Sequence, residues 1–98
     1  MFDIGFAQST GITVCGRLDA ANAVKAQAFL DKVEGECVLD LSGLDYISSA
    51  GLGVLLKTHK RLMASGHGVK LINVRHHIHD IFRYSGFDKL FEIVSATN

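Results

Sequence analysis

The sequence contains no proline and only two cysteines, and neither sign of charge is in excess. Ten lysines and arginines balance ten aspartates and glutamates, which argues against a domain held to nucleic acid or to an anionic membrane by net charge. No segment approaches the roughly 18 apolar residues of a membrane-spanning helix. The opening MFDIGFAQ lacks the charged lead and long apolar stretch of a signal peptide. We therefore expect a cytoplasmic protein that neither inserts into a membrane nor binds nucleic acid directly.

The two cysteines, Cys15 and Cys37, form no CxxC pair. Each lies in a strand-like run, where a reduced, buried cysteine behaves as a small hydrophobic residue. We therefore predict neither a disulfide nor a metal role for them. The 98 residues, 48% of them apolar, suit one compact domain over residues 1–98, and no long linker, low-complexity stretch or internal repeat divides the chain.

Two segments with alternating apolar residues open the chain. The first runs from Phe2 to Gln8, and the second, GITVCGRL, runs from Gly11 to Leu18. Ser9 and Thr10, together with the glycine that follows them, are typical of a turn. The pattern predicts that these two strands form a β-hairpin.

Helix-like and strand-like segments alternate after the hairpin. Asp19 is a favourable N-cap for the amphipathic segment AANAVKAQAFLDKV, which we expect Gly35 to close. The later segments are the strand CVLDLSG, a helix that begins within DYISSAGLGVLL and ends at Ser65-Gly66, the strand GVKLINV, the helix HHIHDIFRYSG and the strand FDKLFEIV. The alternation is the pattern of right-handed crossovers on a parallel sheet. It predicts an α/β domain whose mixed, mostly parallel sheet has four to five strands, with three or more helices.

The second predicted helix has apolar residues that recur at helical spacing. Its apolar stripe consists of Leu52, Leu55, Leu56, Leu62 and Met63. His59 lies on the same stripe, so we interpret it as a packed, hydrogen-bonded histidine.

No catalytic motif is found in or around DYISSAGLGVLL, which runs from Asp45 to Leu56. The phosphate loops GxGxxG and GxxxxGK[ST] and the serine elbow GxSxG are all absent. A serine nucleophile needs a base within hydrogen-bond reach, and His59 lies well down the helix from Ser49. We therefore predict no catalytic residue, and an enzyme that uses Ser49 as its nucleophile is the least favoured hypothesis.

The histidines at the start of the third predicted helix could suggest a metal site. His76 and Asp80 stand at i and i+4 and could share an ion, whereas the adjacent His76 and His77 point in different directions. Zinc sites bring three or four ligands from defined spacings, and no such set is evident. We predict a solvated helix start, with no metal and no cofactor.

The serine pair, Ser48 and Ser49, lies where a strand gives way to the second helix. One of the two hydroxyls is expected to cap the helix by satisfying backbone N–H groups. The positive end of a helix also favours negative charge, so a hydroxyl there could receive a phosphoryl group. Both roles stay open from the residues alone.

The segment CVLDLSGLDYISSAGLGVLLKTHKRLMASGHGVKLINV, the later IFRYSGFDKLFEIV and the earlier GRLDAANA resemble a STAS domain, the fold of bacterial anti-sigma factor antagonists. The resemblance covers nearly the whole chain. Its most specific part is a strand ending in DLSG, followed by a serine pair and GLGVLL.

The resemblance implies a binding module that is not itself an enzyme. In this family the unphosphorylated antagonist binds an anti-sigma factor, which is usually a serine kinase, and so frees the sigma factor. The kinase phosphorylates a serine at the start of the second helix, which releases the partner, and a phosphatase resets the switch. The implied docking residues are Asp45, Tyr46, Ser48, Ser49, Ala50, Gly51 and Gly53.

One position departs from the family pattern. The usual acceptor hydroxyl directly precedes the first glycine, but here Ala50 precedes Gly51. Ser49 lies one residue early, and Ser48 takes the place of an aspartate. The phosphorylation candidates are therefore Ser49 and Ser48, with an unphosphorylated protein as the alternative.

The Ser-Ala-Gly-Leu version of the motif also resembles the STAS subunits of bacterial lipid-transport complexes. Those subunits bind the ATPase of an ABC transporter through the same helix start, with no need of phosphorylation. A scaffolding role in a larger signalling assembly is a third hypothesis, although such proteins usually carry additional domains.

Overall fold

A computed structural model of the chain describes residues 1–7 and 11–96. Gln8, Ser9 and Thr10, at the predicted hairpin turn, lie outside the described residues. The elements are β1 (Phe2–Ala7), β2 (Gly11–Leu18), α1 (Ala20–Leu30), β3 (Cys37–Asp40), β4 (Leu44–Ile47), α2 (Ser49–Met63), β5 (Val69–Val74), α3 (His76–Ser85), a 3₁₀ turn (Phe87–Lys89) and β6 (Glu92–Ser95).

One mixed sheet contains all of these strands, in the order β1-β2-β3-β5-β6, with β4 paired to β2 beyond the end of β3. The β1–β2 pair is antiparallel, and every other pair is parallel. The predicted hairpin and the mostly parallel sheet are therefore confirmed. The sheet has six strands, one more than the upper end of the prediction.

The additional strand is β4, because the predicted strand CVLDLSG breaks after Asp40. The Asp40 carboxylate accepts a hydrogen bond from the Ser42 amide at 2.9 Å, and the Leu44 amide donates to the Leu41 carbonyl at 3.0 Å. After this tight turn the chain pairs with β2 again, as β4, nearer to the carboxyl end of β2. An aspartate that bonds to the backbone two residues later is typical of such a turn.

The first helix ends at Leu30, three residues before the last residue predicted, Val33. The Arg61 guanidinium, on α2, donates to the carbonyls of both Leu30 and Val33 at 2.8 Å. The Leu30 carbonyl also accepts a hydrogen bond from the Val33 amide at 3.0 Å. Carbonyls at the end of a helix have no donor one turn further along the same helix, so Arg61 of α2 helps to satisfy the end of α1. The predicted last strand is also shorter, because Phe87–Lys89 forms the 3₁₀ turn.

The core lies between the sheet and the helices. Its largest fully buried side chains include Phe82, Leu18, Leu39, Leu55 and Leu62. The predicted stripe of α2 is largely confirmed, but Met63 is 56% exposed because it lies in the last turn, beyond the sheet. No helix within residues 1–7 and 11–96 has the length and apolar character that a membrane span requires.

Cys37 is a free thiol at the start of β3 with only 1% of its surface exposed. Burial raises the pKa of the Cys37 thiol from 9.0 to about 11, and the positive charge of Arg61 offsets part of the rise. Between these two pH values the unfolded chain releases the thiol proton while the folded protein retains it. The contribution of the protonated Cys37 thiol to the free energy of unfolding is therefore fully present below pH 9, and it decreases as the pH rises toward 11.

We predict that the free energy of urea unfolding decreases more steeply between pH 9 and pH 11 in the wild type than in Cys37→Ala. The comparison removes the shared titration of tyrosines and lysines. Parallel pH profiles for the two proteins would contradict the prediction.

Candidate functional site

The start of α2 lies at the edge of the sheet where the parallel strands β2 and β4 end. Leu18 and Ile47, the last residues of these strands, face each other in register. The Ser48 amide donates to the Leu18 carbonyl at 3.0 Å and so extends the pairing by one bond. The carboxyl end of a parallel sheet, next to a helix N-terminus, is a common place for binding sites in α/β folds.

Ser48 is the N-cap of α2. Its hydroxyl oxygen accepts a hydrogen bond from the Gly51 amide at 3.3 Å, and the hydroxyl lies 3.4 Å from the Leu18 carbonyl, to which it donates. The Ser48 carbonyl accepts the first helical bond, from the Leu52 amide. The expectation that one serine caps the helix is confirmed. The Ser48 hydroxyl both accepts and donates a hydrogen bond within the protein.

Ser49 is the first residue of α2 and is exposed. Within the described part of the chain, its hydroxyl makes no hydrogen bond. Ala50 is exposed beside it. The two adjacent serines therefore differ: one hydroxyl is fixed against β2, and the other faces solvent at the positive end of the helix.

The two predicted glycines of the site lie on opposite sides of α2. Gly51 is buried, and a Cβ there would lie 2.6 Å from the Leu18 carbonyl oxygen and 2.8 Å from the Ile47 side chain. Gly53 is exposed, and among the described residues nothing beyond its chain neighbours and the adjacent backbone of α2 lies within 4 Å of the position of a Cβ. Gly51 therefore belongs to the packing beneath the site, whereas Gly53 belongs to its surface.

Asp45 joins the site to the start of α3. Its carboxylate accepts from the Arg75 guanidinium at 2.9 Å, and its carbonyl lies 2.9 Å from Nε2 of His77. Since a carbonyl only accepts hydrogen bonds, Nε2 of His77 carries the proton in this contact. The ion pair is exposed, so it contributes to the shape and charge of the surface more than to stability.

Tyr46 forms the other side of the site. It is 37% exposed, and the Arg17 guanidinium lies over its ring, 4.3 Å from the centroid. Arg17 also approaches the carboxylate of Asp19, with Nε and Oδ2 3.9 Å apart. Sequence reasoning missed Arg17, Arg75 and His77 because they lie far along the chain from the serine pair.

The exposed members of the predicted set lie on β4 and on the first two turns of α2, which follows it directly. We call this set the α2 docking face, and it consists of Asp45, Tyr46, Ser49, Ala50 and Gly53. Ser48 and Gly51 support it from below. Arg17 and Arg75 lie beside it, each within ion-pair distance of a carboxylate, that of Asp19 and that of Asp45.

The other titratable groups do not converge on this face. Nδ1 of His59 accepts from the Val69 amide at 2.9 Å, and the ring lies 4.8 Å from that of Phe91, so the predicted packed histidine is confirmed. His59 stands about 15 Å along the helix from Ser49, at about 1.5 Å per residue. A cavity of about 340 Å³ lies beside His59, where β3 and β5 begin, and none of the docking-face residues lines it.

The predicted solvated start of α3 is also observed. His76 is 91% exposed in its side chain and lies 3.5 Å from the Asp80 carboxylate, which accepts from Arg83 at 2.8 Å. Within residues 1–7 and 11–96, no group of three or more His, Cys, Asp or Glu side chains is placed to hold a metal ion.

Comparison with known proteins identifies similar sequences and folds. The family model described as "Mlab, STAS domain" matches residues 5–95. The Bordetella bronchiseptica protein BtrV, whose name assigns it provisionally as an anti-sigma factor antagonist, is 39% identical over 85 residues, which is 83% of this chain and 73% of BtrV.

Two solved structures share the fold. A Thermotoga maritima protein, also described provisionally as an anti-sigma factor antagonist, has a TM-score of 0.78 at 20% identity, covering 96% of this chain and 86% of that chain. The Bacillus cell fate determinant SpoIIAA, in its phosphorylated form, has a TM-score of 0.71 at 18% identity, covering 100% of this chain and 93% of its own. At these identities the two structures show the fold alone.

The different roles of the serines predict different effects on stability. Ser48→Ala removes the cap and should lower the free energy of unfolding by about 1 kcal/mol, whereas Ser49→Ala should change it by less than about 0.5 kcal/mol. Urea unfolding of the two variants measures the difference. Equal losses in the two variants would contradict the assignment of Ser48 alone as the cap.

The two glycines provide a second matched pair. Gly51→Ala should destabilise the protein by more than about 2 kcal/mol, because the new Cβ meets the Leu18 carbonyl in a packed interior. Gly53→Ala should stabilise it by about 0.5–1 kcal/mol, because alanine loses less backbone entropy in a helix. Thermal unfolding tests both, and destabilisation by Gly53→Ala would contradict the open space around Gly53.

Proposed function

This chain belongs to the STAS domain family, and we propose that it is an anti-sigma factor antagonist that binds its anti-sigma factor through the α2 docking face. The observation that carries the proposal is the free Ser49 hydroxyl at the start of a helix whose cap is already provided by Ser48. The 39% identity to BtrV supports the same role. Such a role places the protein in the cytoplasm.

The shape of the docking face suits a closely packed protein partner. Ser49, Ala50 and Gly53 are small and exposed, so the backbone of a partner can approach the helix surface directly. Tyr46, on the preceding strand, adds a partly exposed aromatic ring, and aromatic rings are enriched at the centres of protein interfaces. The ion pairs Arg17–Asp19 and Arg75–Asp45 place both signs of charge around these residues, so the partner is expected to present complementary polar groups at the rim.

The partner is proposed to be a serine kinase that phosphorylates Ser49. Ser48 is the weaker candidate, because its hydroxyl is held between the Gly51 amide and the Leu18 carbonyl. A phosphate on Ser49 would add about 1.5 to 2 negative charges. The helix N-terminus stabilises that charge, so the antagonist stays folded while the face that the partner binds changes in size and charge. A phosphatase would restore the binding form.

In this scheme the protein is a substrate and a binding module and not an enzyme. Ser49 has no histidine, aspartate or glutamate within hydrogen-bond distance in the described part of the chain. A hydroxyl without a base is a poor nucleophile, whereas an exposed hydroxyl is accessible to the active site of a kinase.

A second candidate function is that of a STAS subunit in a bacterial lipid-transport ABC complex. Two observations favour it: Ala50 occupies the usual acceptor position, and the matching family model is described as "Mlab, STAS domain". In that role Ser49 would contact the transporter ATPase and stay unmodified. The chain would then be isolated from its host together with an ATPase and membrane components.

We predict that the purified anti-sigma factor kinase of the same organism binds this protein and, with ATP, transfers one phosphate to it. Ser49→Ala should abolish the labelling, and Ser48→Ala should retain it. Peptide mass spectrometry locates the phosphate. Labelling that persists in Ser49→Ala would assign the site to another residue.

The charge itself is tested by Ser49→Asp, with Ser49→Asn as the neutral control of the same shape. Ser49→Asp should weaken binding of the kinase about tenfold or more, and Ser49→Asn should have a much smaller effect. Calorimetry measures both affinities. Failure of the wild type to bind the kinase, together with recovery of a transporter ATPase from the host, would favour the second candidate.

A further inference from the structure

The outer edge of β1 is a surface that the proposed function does not use. β1 is the first strand of the sheet and pairs only with β2 in the described part of the chain. Its six residues, Phe2–Ala7, include no proline and a single charged residue, Asp3. Natural edge strands are usually short, charged or covered, since an open edge pairs readily with another strand.

The hydrogen-bond pattern shows which backbone groups face outward. The Arg17 amide donates to the Met1 carbonyl at 2.9 Å, so the odd-numbered residues of β1 direct their N–H and C=O groups to β2. Phe2, Ile4 and Phe6 alternate with them and therefore direct their N–H and C=O groups away from β2. The edge presents three evenly spaced donor and acceptor pairs.

We propose that this edge is a self-association site, at which β1 of a second copy pairs antiparallel about a twofold axis at Ile4. In this register Phe2 pairs with Phe6 of the second copy, Ile4 with its own equivalent and Phe6 with Phe2 of the second copy. All three positions have outward-facing backbone groups, so the pairing forms about six hydrogen bonds. The two sheets become one continuous sheet.

The side chains support the same register. Phe6 is 77% exposed although its ring lies 5.0 Å from that of Phe29 on α1. The pairing brings Phe2 of the second copy alongside Phe6, on the helix-covered side of the sheet. An exposed aromatic pair would then become a cluster of three rings on each side of the axis, and cross-strand aromatic pairs are stabilising.

The charges select this register against its neighbour. With the axis at Ile4, each Asp3 lies opposite Gly5 of the second copy, on the other face of the sheet. With the axis at Asp3, the two Asp3 carboxylates would lie directly opposite each other, which is unfavourable. β6, the other edge of the sheet, is less suited to self-pairing, since it has four residues and carries the exposed Glu92.

Self-association through β1 leaves the α2 docking face free. β4 pairs with β2 on the side opposite to β1, and α2 begins directly after β4. The dimer therefore carries two docking faces. A single six-residue strand pair is a small interface, so the expected dissociation constant is about 1–100 µM.

The experiment is sedimentation velocity from about 1 to 500 µM protein, with variants at Gly5. Gly5 tolerates a side chain in the monomer, since nothing lies within 4 Å of a Cβ there and its φ is not positive. Gly5→Asp places a carboxylate opposite each Asp3 and should weaken the dimer about 2- to 30-fold, and Gly5→Lys should strengthen it by a similar factor. The double variant Asp3→Lys with Gly5→Asp should restore dimerisation. Circular dichroism verifies that each variant is folded.

Amide hydrogen exchange of the wild type locates the interface. The amides of Phe2, Ile4 and Phe6 should become protected as the concentration rises, while those of Asp3 and Gly5, which already bond to β2, should change little. A wild type that is monomeric up to about 500 µM overturns the proposal. The proposal is also overturned if the Gly5 variants dimerise with the same dissociation constant as the wild type. Protection of the amides of β6 and not those of β1 overturns it as well.

Discussion

The close approach of α2 to the end of β2 is the constraint on which the functional end of this protein depends. A Cβ at Gly51 would lie 2.6 Å from the Leu18 carbonyl oxygen, so only glycine allows the helix to start where it does. The Ser48 amide and hydroxyl both bond to that same carbonyl. The helix, its cap and the sheet edge thus meet at one atom, which sets the position of Ser49, Ala50 and Gly53 on α2.

In the proposed function, two adjacent serines have different roles. Ser48 holds the helix start, so Ser49 is free to be modified without loss of the cap. A phosphate at the first helical position meets the positive end of the helix, where negative charge is stabilising. The proposed switch therefore acts on the surface that a partner binds, while the sheet and the core beneath it stay as they are.

The two proposed surfaces lie on opposite sides of β2. On one side, β4 leads into α2 and the docking face, whose rim carries Arg17 and Arg75. On the other side, β1 presents an edge that pairs with no other strand of the described residues, together with the exposed ring of Phe6. Because the sheet is rigid and hydrogen-bonded between them, a dimer formed at the β1 edge would hold two docking faces at a fixed separation, which favours bivalent partners.

The sequence by itself determined the fold class, the hairpin, the three helices and the place of the serine pair, because apolar periodicity reports which residues face a core. It also supplied the correct interpretation of His59, which shares the apolar stripe of α2. Only the tertiary structure decided between neighbours of similar chemistry. Ser48 is the cap and Gly51 is buried because Leu18, about 30 residues earlier in the chain, lies against them. The same cause explains why the predicted strand CVLDLSG breaks after β3, so that the chain pairs again as β4, and why Arg17 and Arg75 lie beside the site. These features depend on contacts between segments that are distant in the sequence, and apolar periodicity within one segment gives no information on such contacts.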